Sequence, residues 1–182
     1  MSLEIVIGPM FSGKSSYAVQ YIRRKLAIGM KVLVVKPSID KRYSQDNVLV
    51  THNKETVPCI TWDTDEPIVV NNRILGNPCI VIEEAQFFKG LRDFVTSLLK
   101  LRSDILLIGL NGDAFQKPFG EIHECIPLAT DIKMLNALCC ICRDGSPGSY
   151  SKRIAPDSGQ VHVGGAESYI AVCFRHLDFP PF

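Results

Sequence analysis

The sequence carries almost no net charge: 20 Lys and Arg oppose 19 Asp and Glu, a formal +1. Without a basic excess, bulk attraction to nucleic acid or to an anionic membrane is not expected. Long hydrophobic runs are also absent, and no stretch approaches the ~20 apolar residues that a bilayer span needs. Neither a membrane nor nucleic acid is therefore an expected partner. The first apolar run begins at Leu3. That leaves no room ahead of it for a leader, so a cytoplasmic location is the expected default. In a reducing compartment disulfides are not expected. The seven cysteines are odd in number, and three of them cluster at 139, 140 and 142, which points to metal or redox chemistry. A chain of 182 residues, 46% hydrophobic and 21% charged, holds enough material for one ordinary core and a small appendage.

What is present begins with Gly8-Pro9-Met10-Phe11-Ser12-Gly13-Lys14-Ser15. Gly, four residues, Gly, Lys, then Ser or Thr is the phosphate-binding loop pattern. An apolar run, Leu3 to Ile7, precedes it, and residues with helical periodicity from Lys14 to Ile28 follow. In that setting backbone N–H groups curl around phosphate oxygens at a helix N-terminus. Lys14 can then neutralise the β- and γ-phosphates, and the Ser15 hydroxyl can bind Mg²⁺.

Residues 1–135 alternate apolar runs with helical patterns, which predicts an α/β layer fold with a parallel sheet covered on both faces. Further strands are expected at 31–36, 79–82 and 104–110, and a helix at 87–101. The polar stretch 38–53 reads as loop. Residues 143–165 are rich in Gly, Ser and Pro and read as a mobile loop or lid. The third strand ends in Glu83-Glu84. In phosphate-loop enzymes an acid at such a place helps to hold Mg²⁺. Glu83 suits a water-mediated metal contact, which frees Glu84 to accept a proton from a hydroxyl or to orient a water. The first choice makes a kinase and the second an ATPase.

Cys139 and Cys142 have the spacing of a zinc knuckle, and Cys173 and His176 repeat it. Four such ligands close a tetrahedral structural site with no open position for catalysis. A zinc ion there clamps the two ends of the Gly/Ser-rich stretch, and Cys140 competes for the register.

Taken together, these segments resemble type II thymidine kinases, the class of cellular cytosolic and poxvirus-type enzymes, over nearly the whole chain. Besides the phosphate loop, the resemblance rests on Asp40-Lys41-Arg42-Tyr43-Ser44 with Thr51-His52, and on Glu83-Glu84-Ala85-Gln86-Phe87-Phe88. It rests also on Leu110-Asn111-Gly112 through Lys117-Pro118-Phe119-Gly120, on Tyr150-Ser151-Lys152-Arg153 and on Gly164-Gly165-Ala166-Glu167-Ser168-Tyr169. The resemblance implies a P-loop NTPase-like ATP-binding domain, residues 1–135, and a zinc-binding lasso domain, residues 136–182, covering the nucleoside. It implies transfer of the γ-phosphoryl of ATP to the 5′-hydroxyl of thymidine, with Mg²⁺ accompanying ATP and a structural Zn²⁺.

Under that resemblance Glu84 is the base, assisted by Lys14 and Arg42. ATP and Mg²⁺ fall to Gly8, Pro9, Met10, Phe11, Ser12, Gly13, Lys14, Ser15, Asp40, Lys41, Arg42, Glu83 and Gln86. Met10, Phe87, Leu110, Phe115, Phe119, Ser151, Gln160, Val161, His162, Val163, Gly164 and Tyr169 would hold the nucleoside. Homotetramers inhibited by thymidine triphosphate are expected. The competing readings are a kinase of another deoxynucleoside, a zinc-ribbon ATPase driven by nucleic acid and a nucleotide-sensing module. Against the ATPase, residues 135–182 hold four basic and four acidic side chains rather than a basic stripe.

Overall fold

The uniformly apolar runs become the buried centre of one sheet. Chain order is β1 (Ser2–Ile7), α1 (Lys14–Leu26), β2 (Val32–Pro37), β3 (Val48–Val50), β4 (Thr56–Trp62), β5 (Cys79–Ile82), α2 (Leu91–Lys100), β6 (Asp104–Gly109) and β7 (Asp131–Met134). Four short strands follow: β8 (Ala137–Leu138), β9 (Pro147–Gly148), β10 (Tyr150–Arg153) and β11 (Tyr169–Val172). The computed structural model describes residues 1–39, 48–50, 56–156, 159 and 164–177, with backbone alone at 48–50 and 56–58. Asp40, Lys41, Arg42, the Thr51-His52 pair and Gln160, Val161, His162 and Val163 lie outside the described residues. Among the described residues no helix is long and apolar enough to cross a membrane.

The main sheet has seven strands in the order β3-β4-β2-β5-β6-β1-β7. All neighbours run parallel except the β3–β4 edge pair, which is antiparallel. Side chains alternate across a strand, so each run serves two cores. Leu33, Val35, Ile80, Ile82, Ile105 and Leu107 face α2 through Leu91, Phe94, Val95 and Leu98. Val32, Val34, Cys79, Val81, Leu106 and Ile108 face α1 through Ala18, Tyr21 and Ile22. Each fully buried Leu or Ile contributes about 1.5–3 kcal/mol. Register aligns the strand ends: Ile7 lies beside Gly109, and Ile82 beside Leu107. The loops after β1, β5 and β6 therefore leave the same edge of the sheet.

At the opposite edge Asp104 collects the Lys25 Nζ at 2.6 Å, the Ser2 hydroxyl at 3.0 Å and the Met1 amino group at 3.1 Å. Burial alone would raise this carboxyl; the three donors outweigh it and hold it at about 2. A depressed carboxyl adds stability above its unfolded value near 4, and that stability is lost as pH falls through about 2. Asp104→Asn is expected to cost about 1–2 kcal/mol at pH 7, after discounting for solvent screening. Urea unfolding across the acid range should show the two proteins converging at the low-pH end.

Several elements depart from the sequence expectation. α1 stops at Leu26 rather than Ile28, and Gly29 takes φ 74° just beyond. The helix expected over 87–101 begins only at Leu91: Gly90 sits at φ 69°, and Ala85–Phe87 forms a separate 3-10 turn. The polar stretch read as loop contains β3. β4 went unread because Pro58 interrupts its apolar pattern, and β7 because its alternation is weak at a half-exposed sheet edge.

The largest correction concerns 143–165. The described part of it is not a loop throughout: β9 pairs with β8, and β10 pairs antiparallel with β11. Ser151 and Lys152 are buried. The ladder hydrogen bonds satisfy backbone groups that Gly/Ser-rich composition alone suggests are left to water.

Candidate active site

The phosphate loop leaves β1 and closes on the first turn of α1. Gly13 takes φ 85° as the helix N-cap, and its carbonyl accepts the Tyr17 N–H at 3.0 Å. Gly8 allows a close approach that no larger residue would: an added Cβ would sit 2.5 Å from the Leu135 carbonyl oxygen. Lys14 Nζ donates to the carbonyls of Gly8, at 3.0 Å, and Pro9, at 2.6 Å, and so ties the loop to itself. Ser12 Oγ donates to the Pro9 carbonyl at 2.8 Å.

This loop forms one wall of a cavity of about 470 Å³, within the usual range for small-molecule sites. Lys14, Ser15 and Ser16 open onto it from the start of α1, where the helix dipole favours an anion. Apolar side chains line it too: Phe87, Leu110 and Phe119, with Met10 from the loop itself. The Phe87 and Phe119 rings meet edge to face, 5.3 Å apart at 82°. Glu84, Gln86 and Asp113 add polar groups to the lining. Ser151, Gly164, Gly165 and Tyr169 line the cavity as well.

The acid pair splits. β6 stands between β1 and β5 in the sheet, so the pair does not leave the strand beside the phosphate loop. Glu84 nevertheless reaches the cavity, because it adopts a left-handed backbone, φ 51° and ψ 46°, that turns the chain at the end of β5. That conformation costs a non-glycine residue about 1–2 kcal/mol. Glu83 follows β5 directly, one residue past Ile82. It is buried, its carboxylate lies 3.6 Å from Lys36 Nζ, and it is not among the described residues lining the cavity.

Of the expected nucleoside residues, Met10, Phe87, Leu110, Phe119, Ser151, Gly164 and Tyr169 come together at the cavity. Phe115 does not: it is half exposed, its ring lies 5.8 Å from the Arg153 guanidinium, and Ala114 faces the cavity in its place. The cause is a side-chain turn. Asp113 Oδ1 accepts the N–H groups of Phe115, at 2.8 Å, and Lys117, at 2.9 Å, which sets the loop's register. Asp113 is a lining residue that motif reading missed; its only signal was an acid inside an Asn-Gly turn sequence.

β10 is anchored to the phosphate loop. The Met10 N–H donates to Ser151 Oγ at 2.9 Å, and Asn111 Nδ2 donates to the Ser149 carbonyl at 3.1 Å.

Behind β10 the Cys139, Cys142, Cys173 and His176 ligand atoms all lie within 4.8 Å of one another. Cys142 Sγ and Cys173 Sγ are 3.7 Å apart. His176 Nδ1 lies 3.5 Å from Cys139 Sγ, 3.5 Å from Cys142 Sγ and 3.2 Å from Cys173 Sγ. A tetrahedral ion with bonds of about 2.3 Å to sulfur and about 2.0–2.1 Å to nitrogen has edges of about 3.8 Å and about 3.6 Å. The cluster can therefore hold a structural metal. Burial opposes ionisation of Cys139, but N–H groups of Cys142, Cys173 and Ile141 and the His176 ring outweigh it and bring the thiol down to about 6. The thiolate is the form that binds metal. Cys140 is exposed and outside the cluster, which resolves the register.

A family model described as thymidine kinase matches residues 1–177. The chain is 32% identical over 179 residues to a thymidine kinase of fowlpox virus, covering 94% of each. It is 32% identical over 175 residues to the human cytosolic thymidine kinase, covering 94% of this chain and 70% of that one. It is similar also to thymidine kinase a of Arabidopsis thaliana, 31% identical over 182 residues, with 96% and 74% covered.

Proposed function

The chain belongs to the thymidine kinase family, and from that premise we propose that its cavity is where the γ-phosphoryl group of ATP passes to the 5′-hydroxyl of thymidine. One observation carries the reading. Phosphate-loop residues, apolar aromatic side chains and Glu84 line one cavity of about 470 Å³. In the proposed reaction the 5′-oxygen forms a bond to the γ-phosphorus and the bond to the bridging oxygen of ADP breaks. The hydroxyl proton goes to the Glu84 carboxylate, a contribution of about 10²–10⁴-fold in rate. Lys14 and the start of α1 offset the charge on the phosphates. Phe87 and Phe119 present ring faces and edges to a planar base.

Oxygen donors in the cavity, the Ser15 hydroxyl foremost, suit a hard divalent cation. Mg²⁺ bound with ATP would neutralise charge on the phosphoryl oxygens. Asp40, Lys41 and Arg42, and Gln160 to Val163, retain the roles the family resemblance implies for them, at the phosphates and over the base. Residues 136–182 are proposed as a lasso unit held by one zinc ion. Ser151→Ala removes the acceptor of the Met10 N–H and is expected to weaken the anchoring of the phosphate loop by about 1–2 kcal/mol. The measurement is KM for ATP, expected to rise several-fold with the fold unchanged by circular dichroism.

A cytoplasmic location, a homotetramer and inhibition by thymidine triphosphate belong to the same proposal. The half-exposed Ile132 and Met134 on edge strand β7 support self-association. Light scattering tests assembly, and product-analogue titration tests inhibition. Family membership favours the kinase over the nucleic-acid-driven ATPase. The deciding experiment is label transfer from γ-labelled ATP to a panel of deoxynucleosides. Label on thymidine supports the proposal. Label confined to another deoxynucleoside, or release of phosphate without any acceptor, overturns it.

A further inference from the structure

Gln86 is almost wholly buried, 3% exposed, at the floor of the cavity. Family resemblance places it with the ATP and Mg²⁺ contacts, yet both ends of its amide are engaged by the protein. Its Oε1 accepts the Leu110 N–H at 3.1 Å, and its Nε2 donates to Glu84 Oε2 at 2.7 Å. The Leu110 N–H can meet only an acceptor, so it fixes which way the amide points. The donor end is thereby aimed at Glu84.

The backbone around Gln86 is cleared for it. A Cβ on Gly109 would lie 2.7 Å from Gln86 Oε1. A Cβ on Gly120, at φ 61°, would lie 2.0 Å from the Gln86 carbonyl oxygen. Side chain and main chain of this residue are thus each seated against a glycine. Glu84 itself has a left-handed backbone, φ 51° and ψ 46°, and lines the cavity beside Gln86.

We infer that Gln86 is a positioning residue: its Leu110-locked amide holds the Glu84 carboxylate in the orientation that receives the hydroxyl proton. The role presupposes Glu84 as the base, as proposed above. Gln86 acts through Glu84 and not on ATP, so its loss should appear in kcat and not in KM. Misplacing a reacting group by about 1 Å can cost ~10²-fold.

The test is a double-mutant cycle in steady-state kinetics on the full chain. Gln86→Glu keeps the shape and an acceptor for the Leu110 N–H, but presents an oxygen to Glu84. Gln86→Met keeps the length and removes the donor without adding charge. Both are expected to lower kcat by about 10–100-fold, with KM for ATP and thymidine within about threefold of wild type. In a Glu84→Gln background the same changes should lower kcat no further. Thermal unfolding and ATP titration show that each variant is folded, and either variant alone suffices if the other fails. A rise in KM for ATP at unchanged kcat, or full additivity with Glu84→Gln, overturns the inference while Glu84 remains the base. Near-normal turnover of Glu84→Gln by itself removes the base reading, and the inference with it.

Discussion

Glu84→Gln should lower kcat by about 10²–10⁴-fold while ATP and thymidine still bind. The substitution is isosteric. The new amide oxygen still accepts from Gln86 Nε2, which lies 2.7 Å from the present carboxylate. The bond to Gln86 is therefore kept, while the negative charge and the capacity to take a proton are lost. The phosphate loop holds its own shape through Lys14, bonded to the Gly8 and Pro9 carbonyls. Nucleotide affinity should for that reason stay within a few-fold of wild type. Steady-state kinetics with equilibrium titration of each substrate separates the two effects. A variant that binds both substrates and turns over at a near-normal rate would take Glu84 out of the chemistry.

Removing the metal should have the other large effect. The purified protein is expected to carry about one zinc ion per chain. Among the described residues, the segment from Ala137 to His176 has only two-stranded ladders and few large buried side chains of its own. In such small units metal binding supplies about 10–16 kcal/mol of apparent folding free energy. Stripping zinc, or replacing Cys173 by Ser, should melt β8–β11 while the main sheet survives. Melting releases Ser151 from the Met10 N–H, 2.9 Å away, so the phosphate loop loses its anchor as well. Expected together are proteolytic cleavage between 143 and 165 and loss of most turnover. Retained far-ultraviolet signal from the αβ layers should accompany them. Elemental analysis and limited proteolysis measure this, and Cys140→Ser is the control that should change neither. A metal-free chain that stays protease-resistant and active would end the clamp proposal.

Much of the fold was legible in sequence because its signals are local. Val32–Val35, Cys79–Ile82 and Ile105–Ile108 are apolar on both faces, which happens where helices cover both sides of a parallel sheet. β4 and β7 were not legible. One contains Pro58, and the other is half exposed at a sheet edge; both are strands because a neighbouring strand accepts them. The same limit applies to β10, a Tyr-Ser-Lys-Arg segment with no strand pattern until β11 pairs with it. The start of α1 at Lys14 agrees with the sequence reading, whereas the start of α2 is decided by one glycine, Gly90.

The candidate site divides along the same line. Residue type and short spacing were enough to name the phosphate loop and the two pairs of side chains that could hold a metal, because the loop and each pair are encoded within a few positions. Three outcomes waited for tertiary contact: Glu84 rather than Glu83 enters the cavity, Asp113 and Ala114 displace Phe115, and Ser151 reaches Met10 across 141 positions. Periodicity says which face of an element is apolar, but not which distant backbone group completes a hydrogen bond. That pairing depends on where the strands end relative to one another, and register is a property of the assembled sheet.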